Sequence, residues 1–304
     1  QRQMCIRDSV TNMSRMFSGA GNFNGNITSW NVSNVNNMSY MFYIARKFNQ
    51  PIGGWNTSSV TDMSFMFGKP NGGSDNIFNQ DIGNWNVSSG NTFYSMFEGT
   101  SFNQDISDWD VRNGTRFGRM FFGLTSFNQD ISNWDVSNSC DFGSMFHDAS
   151  SFNQDIGDWN VSNGNDFSDM FNGASSFNQD IGDWDVSNGT NFSRMFYNYN
   201  SDSFNQDIGD WDVSSGTNFS FMFYGLDEFN QDIGDWDVSS GTKFSYMFDS
   251  AKSFNQDIGD WDVSSGTDFI GMFYENLAFN QNLKYWDVSS SASLEQMFDG
   301  ADLM

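Results

Sequence analysis

Proline, cysteine and histidine are almost missing from this 304-residue chain: two prolines, two cysteines and one histidine. The cysteines, Cys5 and Cys140, stand far apart, so they build neither a disulfide framework nor a zinc site, and the redox compartment is not legible from them. Basic residues are scarce as well. Thirteen Lys and Arg face 38 Asp and Glu, for a formal charge of -25. That balance argues against nucleic acid and anionic membranes as partners. No run of 18 apolar residues exists, so no segment has the length of a membrane-crossing helix.

What is abundant is aromatic and periodic. The chain holds 34 Phe and 11 Trp. The tryptophans are Trp30, Trp55, Trp85, Trp109, Trp134, Trp159, Trp184, Trp211, Trp236, Trp261 and Trp286, spaced 25 residues apart except for intervals of 30, 24 and 27. A fixed period of this length is the signature of a repeat architecture, in which each unit buries its apolar side against the next.

One clean unit runs from Phe152 to Ser176. Within it Ile156, Trp159 and Val161 follow the spacing I-x-x-W-x-V and alternate with polar residues, which predicts a short strand with one buried face. Phe167, Met170 and Phe171 then fall at i, i+3 and i+4, which predicts a short helical segment. Asn165, or Thr at its equivalents Thr190, Thr217 and Thr242, is placed to cap it. The length changes lie between Phe67 and Phe78, between Phe97 and Phe102, and between Phe196 and Phe204. All follow the helical segment, where a surface loop tolerates them. The expected fold is a repeat solenoid, leucine-rich-repeat-like, with one short parallel strand plus a short helical segment per ~25-residue coil. Residues 1–9 are out of register and read as a foreign segment. Residues 10–304 read as a single solenoid of about eleven or twelve coils, expected to be a piece of a longer array.

Stretches such as Phe127-Asn-Gln-Asp-Ile-Ser-Asn-Trp-Asp-Val-Ser137 and Val60-Thr-Asp-Met-Ser-Phe-Met-Phe67 carry a family resemblance. The chain resembles the BspA-type leucine-rich repeat, the bacterial surface protein 26-residue repeat, from Val10 to about Leu303. The resemblance implies an extracellular or cell-surface protein with a role in adhesion, and it brings no catalytic residues. The chain departs from the family pattern in one respect. Val35 with Met38 and Val60 with Met63 give way, from Gly90 onward, mostly to Gly and Phe, as in Gly164 with Phe167 and Gly216 with Phe219.

Stacking turns each repeated residue into a column. An unbroken Asn column runs Asn24, Asn49, Asn79, Asn103, Asn128, Asn153, Asn178, Asn205, Asn230, Asn255 and Asn280, and amides that both donate and accept can bond along it. Three acidic columns accompany it. The first, from Asp81 to Asp257, suits local turns. The other two flank the Trp column and form the candidate ligand-binding face: Asp108, Asp110, Asp158, Asp183, Asp185, Asp210, Asp212, Asp235, Asp237, Asp260 and Asp262. A solvated acidic face and a set of hard-cation sites stand as alternatives. On the second, Asp183, Asp185, Asp210, Asp212, Asp235, Asp237, Asp260 and Asp262 would hold Ca2+. No cofactor is otherwise required. Arg112, Arg116 and Arg119 form one local basic group, with Arg194 three coils on, and mark a candidate partner site beside the reading of surface drift.

Catalysis needs an asymmetric cluster of unlike groups. His147 and Cys140 read as drift within one coil, and the aspartates repeat without marking a single cleft. The functional expectation is a non-catalytic surface scaffold that binds an extracellular protein or a glycan. The alternative is a structural subunit of an envelope layer or filament, self-associating end to end, with or without Ca2+.

Overall fold

A computed structural model describes residues 9–69, 76–198 and 204–301. Successive units stack in register. Parallel backbone bridges link Asn12, Asn37, Asp62, Thr92, Arg116, Asp141, Asp166, Asn191, Asn218, Lys243, Asp268 and Ser293 in series, one residue from each unit. The apolar residues of every unit face one continuous interior. Ile156, Trp159, Val161, Phe167, Met170 and Phe171 are all buried, and so are their equivalents through most of the chain. Trp184, Trp211, Trp236 and Trp261 lie parallel, with ring centroids 6.4–6.5 Å apart. In each coil a second aromatic contact closes the circuit, as where Phe171 stacks on Phe177 at 3.9 Å.

The local structure of the coil differs from the strand-plus-helix expectation. Among the described residues there is no helix, and pairing is confined to isolated bridges. A leucine-rich-repeat-like solenoid with a strand and a helical segment in each coil is therefore not the architecture. The reason lies in where the amides go. The N–H groups of Phe167, Asp169 and Phe171 donate to the carbonyls of Asn191, Ser193 and Met195 in the next coil, at 3.0, 2.9 and 2.9 Å. Between them Met170 turns back to the Phe167 carbonyl at 3.2 Å and Ser168 to the Asp166 side chain at 3.0 Å. Asp169 sits in the left-handed region at φ 55°, as do Arg15, Tyr40, Phe65, Ser95, Arg119, Ser144, Arg194, Phe221, Tyr246 and Gln296 at the same place in their coils. A left-handed residue interrupts any helix, at a cost of about 1–2 kcal/mol. The inter-coil hydrogen bonds offset it. A five-residue apolar stripe fits one helical turn and a pair of tight turns equally well, and one turn alone is too short to overcome helix nucleation. Thr190, Thr217 and Thr242 accordingly cap no helix. Their hydroxyls donate to the carbonyls of Asn165, Thr190 and Thr217 in the preceding coil.

The I-x-x-W-x-V frame is likewise two turns rather than a strand. Trp159 N–H donates to Ile156 O at 3.1 Å, and Gly164 N–H donates to Val161 O at 2.7 Å. Here the indoles replace a backbone ladder. Trp159 Nε1–H donates to Ile131 O of the preceding coil at 3.1 Å, and the same rung recurs from Trp55 on Ile27 to Trp286 on Ile258. The Asn column behaves as expected. Asn153 N–H donates to Asn128 Oδ1 at 3.0 Å, and the Gln154 side-chain amide donates to the same oxygen at 2.9 Å.

The change from Val/Met to Gly/Phe has a packing cause. A β-carbon built on Gly216 would lie 2.3 Å from Cζ of Phe219, and one on Gly164 would lie 2.6 Å from Cζ of Phe167. The Phe ring fills the space that Val occupies in the earlier coils. The two pairs exchange volume between neighbouring positions.

Candidate functional site

The acidic columns expected to form the ligand face do project to solvent. Asp108, Asp158, Asp183, Asp210, Asp235 and Asp260 are exposed, as are Asp185, Asp212, Asp237 and Asp262, while Asp110 is half-buried. Their local chemistry is specific. Asp185 Oδ1 accepts both the amide and the hydroxyl of Ser187, at 3.1 and 2.6 Å. Asp212, Asp237 and Asp262 accept the amides of Ser214, Ser239 and Ser264. Asp110 is held instead by Arg112, whose Nε lies 2.7 Å away. The first column makes the same local turns: Asp155 Oδ1 accepts the Gly157 amide at 3.1 Å, and Asp130 accepts the amide and hydroxyl of Ser132.

These bonds decide the protonation state. The serine hydroxyl and then the serine amide hold Asp135, Asp185, Asp212 and Asp262 below the usual carboxylate range. For Asp212, repulsion from Asp185 in the preceding coil is the smallest contribution. A column of like charges is therefore tolerated because each charge is solvated locally before it meets the next.

Among the described residues no group of three or more His, Cys, Asp or Glu side chains converges as a metal site. Calcium takes six to eight oxygens. The side chains of Asp183, Asp185, Asp210, Asp212, Asp235, Asp237, Asp260 and Asp262 do not assemble such a donor set.

A second face emerges from the residues that flank the Met-Phe of each coil. Its outward positions do not repeat, and they collect aromatic and charged groups. In the early coils Tyr40 stacks on Phe65 at 4.5 Å and meets Tyr43 edge-on at 5.2 Å, while Phe65 lies 5.4 Å from Tyr94. Guanidinium groups cap these rings: Arg15 over Tyr40 at 4.2 Å, Arg116 over Tyr94 at 4.9 Å and Arg119 over Phe122 at 4.1 Å. Arg119 also grips the buried carboxylate of Glu98, Nη2 to Oε1 at 2.6 Å. In the later coils Phe221 stacks on Tyr246 at 4.9 Å and Tyr197 on Tyr224 at 4.6 Å, with Arg194 over Phe221 at 4.8 Å. The aromatic members of this face are half-buried.

Of the basic group singled out in the sequence, Arg116, Arg119 and Arg194 belong to this face, whereas Arg112 serves the acidic columns. The aromatic partners were not legible beforehand, because they lie where the repeat pattern breaks down. The available clue was irregular recurrence of Tyr and Phe one and two residues from the invariant Met-Phe. His147 stacks on Phe122 at 4.3 Å and lies 3.8 Å from Asp169, so it belongs to the same face. Cys140 is exposed on another turn, its Sγ 3.6 Å from Thr115 O. Cys5 lies outside the described residues, as do most of residues 1–9 and the inserted segments 70–75 and 199–203.

Five overlapping stretches of the chain, 7–99, 72–150, 93–203, 131–227 and 190–304, match one family model, described as Mycoplasma protein of unknown function, DUF285. Repeat-type membership, which the BspA-type resemblance implied, is thereby borne out at that level. The family matched is not a BspA family by description. Neither the curated proteins nor the solved structures compared with the chain gave a match. Among the described residues no helix is long and apolar enough to cross a membrane.

Proposed function

The chain belongs to the DUF285 repeat family, and from that premise we propose that it is a non-catalytic recognition scaffold of the cell exterior that binds an extracellular protein along its aromatic–arginine face. One observation carries this reading. The invariant side chains are occupied by the stack itself, Trp on Ile carbonyls and Asn on Asn amides, while the chemically varied ones gather on one lateral face.

A protein fits this face better than a glycan. Sugars bind to the open faces of aromatic rings, but here the faces of Tyr40 and Phe65, Phe221 and Tyr246, and Tyr197 and Tyr224 cover one another. Arginines also lie over Tyr40, Phe221 and Tyr94. What remains outward is ring edges and guanidinium groups, the chemistry enriched at protein–protein contacts. Support for leaving catalysis aside comes from the separate surroundings of Cys140, beside a backbone carbonyl, and His147, stacked on a ring.

The test uses the labelled chain on a glycan array and on a panel of immobilised extracellular proteins, before and after enzymatic deglycosylation. The expected result is protein binding that survives deglycosylation and falls at least about tenfold in Tyr43→Ala/Phe65→Ala. Binding that the double variant retains would overturn the assignment of the face, and binding only on the array would overturn the class of ligand.

A further inference from the structure

Charge is distributed unevenly along the stack. Residues 1–119 hold nine of the basic and eight of the acidic residues and are nearly neutral, whereas residues 120–304 hold four basic against thirty acidic. The aromatic–arginine face follows this polarity. Its early coils present Arg15, while Arg116 and Arg119 further along are already held by Asp141 at 3.1 Å and Glu98 at 2.6 Å. Its late coils present Glu275, Glu295 and Asp299, all exposed. Aromatic groups occur at both ends, Tyr40 to Tyr94 in the first half and Phe221 to Tyr246 in the second. Arg15 has no carboxylate partner among the described residues, and Glu275, Glu295 and Asp299 have no cationic one.

We infer that this face docks a second copy of the same chain in antiparallel orientation, the first coils with Arg15 on the last coils with Glu275, Glu295 and Asp299, and aromatic edges on aromatic edges. The inference rests on the reading of the face as a recognition surface and names its partner. Two copies laid parallel would oppose like to like, cation to cation and carboxylate to carboxylate. Reversing one copy sets Arg15 against the carboxylates of the last coils, and the two-fold arrangement makes that contact twice, as a closed dimer requires. An independent acidic protein would meet the overall negative charge of the chain, and an independent basic protein has the Asp columns to bind instead. A second copy satisfies both ends of the face at once. The Arg15 guanidinium, already stacked on Tyr40, loses little freedom on meeting a carboxylate, which suits it to this contact.

Sedimentation equilibrium of the chain at low and high salt tests the proposal. Three proteins are compared: the chain itself, Arg15→Glu, and Glu275→Lys/Glu295→Lys. Tryptophan emission confirms that each variant keeps its indoles buried. The expected result is a concentration-dependent dimer that weakens as salt rises. It should weaken at least about tenfold in either variant alone and recover when the two variants are mixed. Three outcomes overturn the proposal: a monomer at every concentration up to about 100 µM, a dimer indifferent to both substitutions, or a mixture that fails to recover. A monomer whose protein binding is still lost in Tyr43→Ala/Phe65→Ala would leave the recognition face standing and remove only the second copy as its occupant.

Discussion

Asp249 shows how a single side chain departs from the acidic pattern around it. It lies on the aromatic–arginine face, only 5% exposed, with Ser250 Oγ donating to its Oδ1 at 2.7 Å. Burial pushes its pKa up to about 6; the Ser250 bond opposes this shift and Glu275 adds to it. The folded chain therefore keeps a proton that the unfolded chain releases from about pH 4 upward. Stability falls as pH rises from about 4 to about 6, by at most about 3 kcal/mol in all, and levels off above that. Asp249→Asn should raise the unfolding free energy at pH 7.5 and leave it nearly unchanged at about pH 3, below the unfolded pKa, as read by urea denaturation at the two pH values. The exposed aspartates act with the opposite sign. Asp135, Asp185 and Asp262 are depressed by serine bonds, so their stabilisation is present above the normal carboxylate pKa and disappears on acidification. The indole rung is a second residue-scale test. Trp159→Phe keeps the ring stack but leaves the Ile131 carbonyl without its 3.1 Å donor, and should cost about 1–3 kcal/mol in the same assay.

At the scale of one coil, the exchange of Val/Met for Gly/Phe makes a falsifiable pair. Gly216→Val alone places a β-carbon 2.3 Å from the Phe219 ring and should destabilise by about 1–3 kcal/mol. Phe219→Met alone empties space beside a glycine and should also destabilise. The double variant Gly216→Val/Phe219→Met restores the pairing found as Val35 with Met38 and should recover most of the loss in a double-mutant cycle. Additive losses would show that the two positions do not share volume. This exchange was visible in the sequence as a change of letters, but its cause was not, since the ring and the glycine meet only through the fold of the turn. The helical segment failed at this scale for a related reason. The i, i+3, i+4 stripe of Phe167, Met170 and Phe171 specifies which side is buried but not which acceptor each amide takes, and the next coil supplies that acceptor.

Across the whole molecule the stack distributes stability along one dimension, each coil depending on its neighbours. The acidic columns bear on this through general charge rather than through ion sites. Melting midpoints in millimolar Ca2+ and in chelator should agree once ionic strength is matched with Mg2+ or NaCl, because the described side chains gather no calcium cage. A midpoint raised by Ca2+ alone would contradict this. The candidate site belongs to the same scale. Tyr40 and Phe65 are 25 residues apart in sequence and 4.5 Å apart in space, so no local pattern announces them.

The sequence alone determined the period, the in-register succession of units and the inward set of Phe, Ile, Trp, Val and Met, because only one register buries every unit's apolar side chains at once. It also determined that the Asp columns face water, since the frame that buries Trp leaves their positions outside. The tertiary structure alone decided the shape of the coil and the make-up of the aromatic–arginine face. A coil's amides choose between a local carbonyl and one in the adjacent coil, and a column exists only when coils are stacked. Both depend on neighbours that are close in space but a full repeat away along the chain.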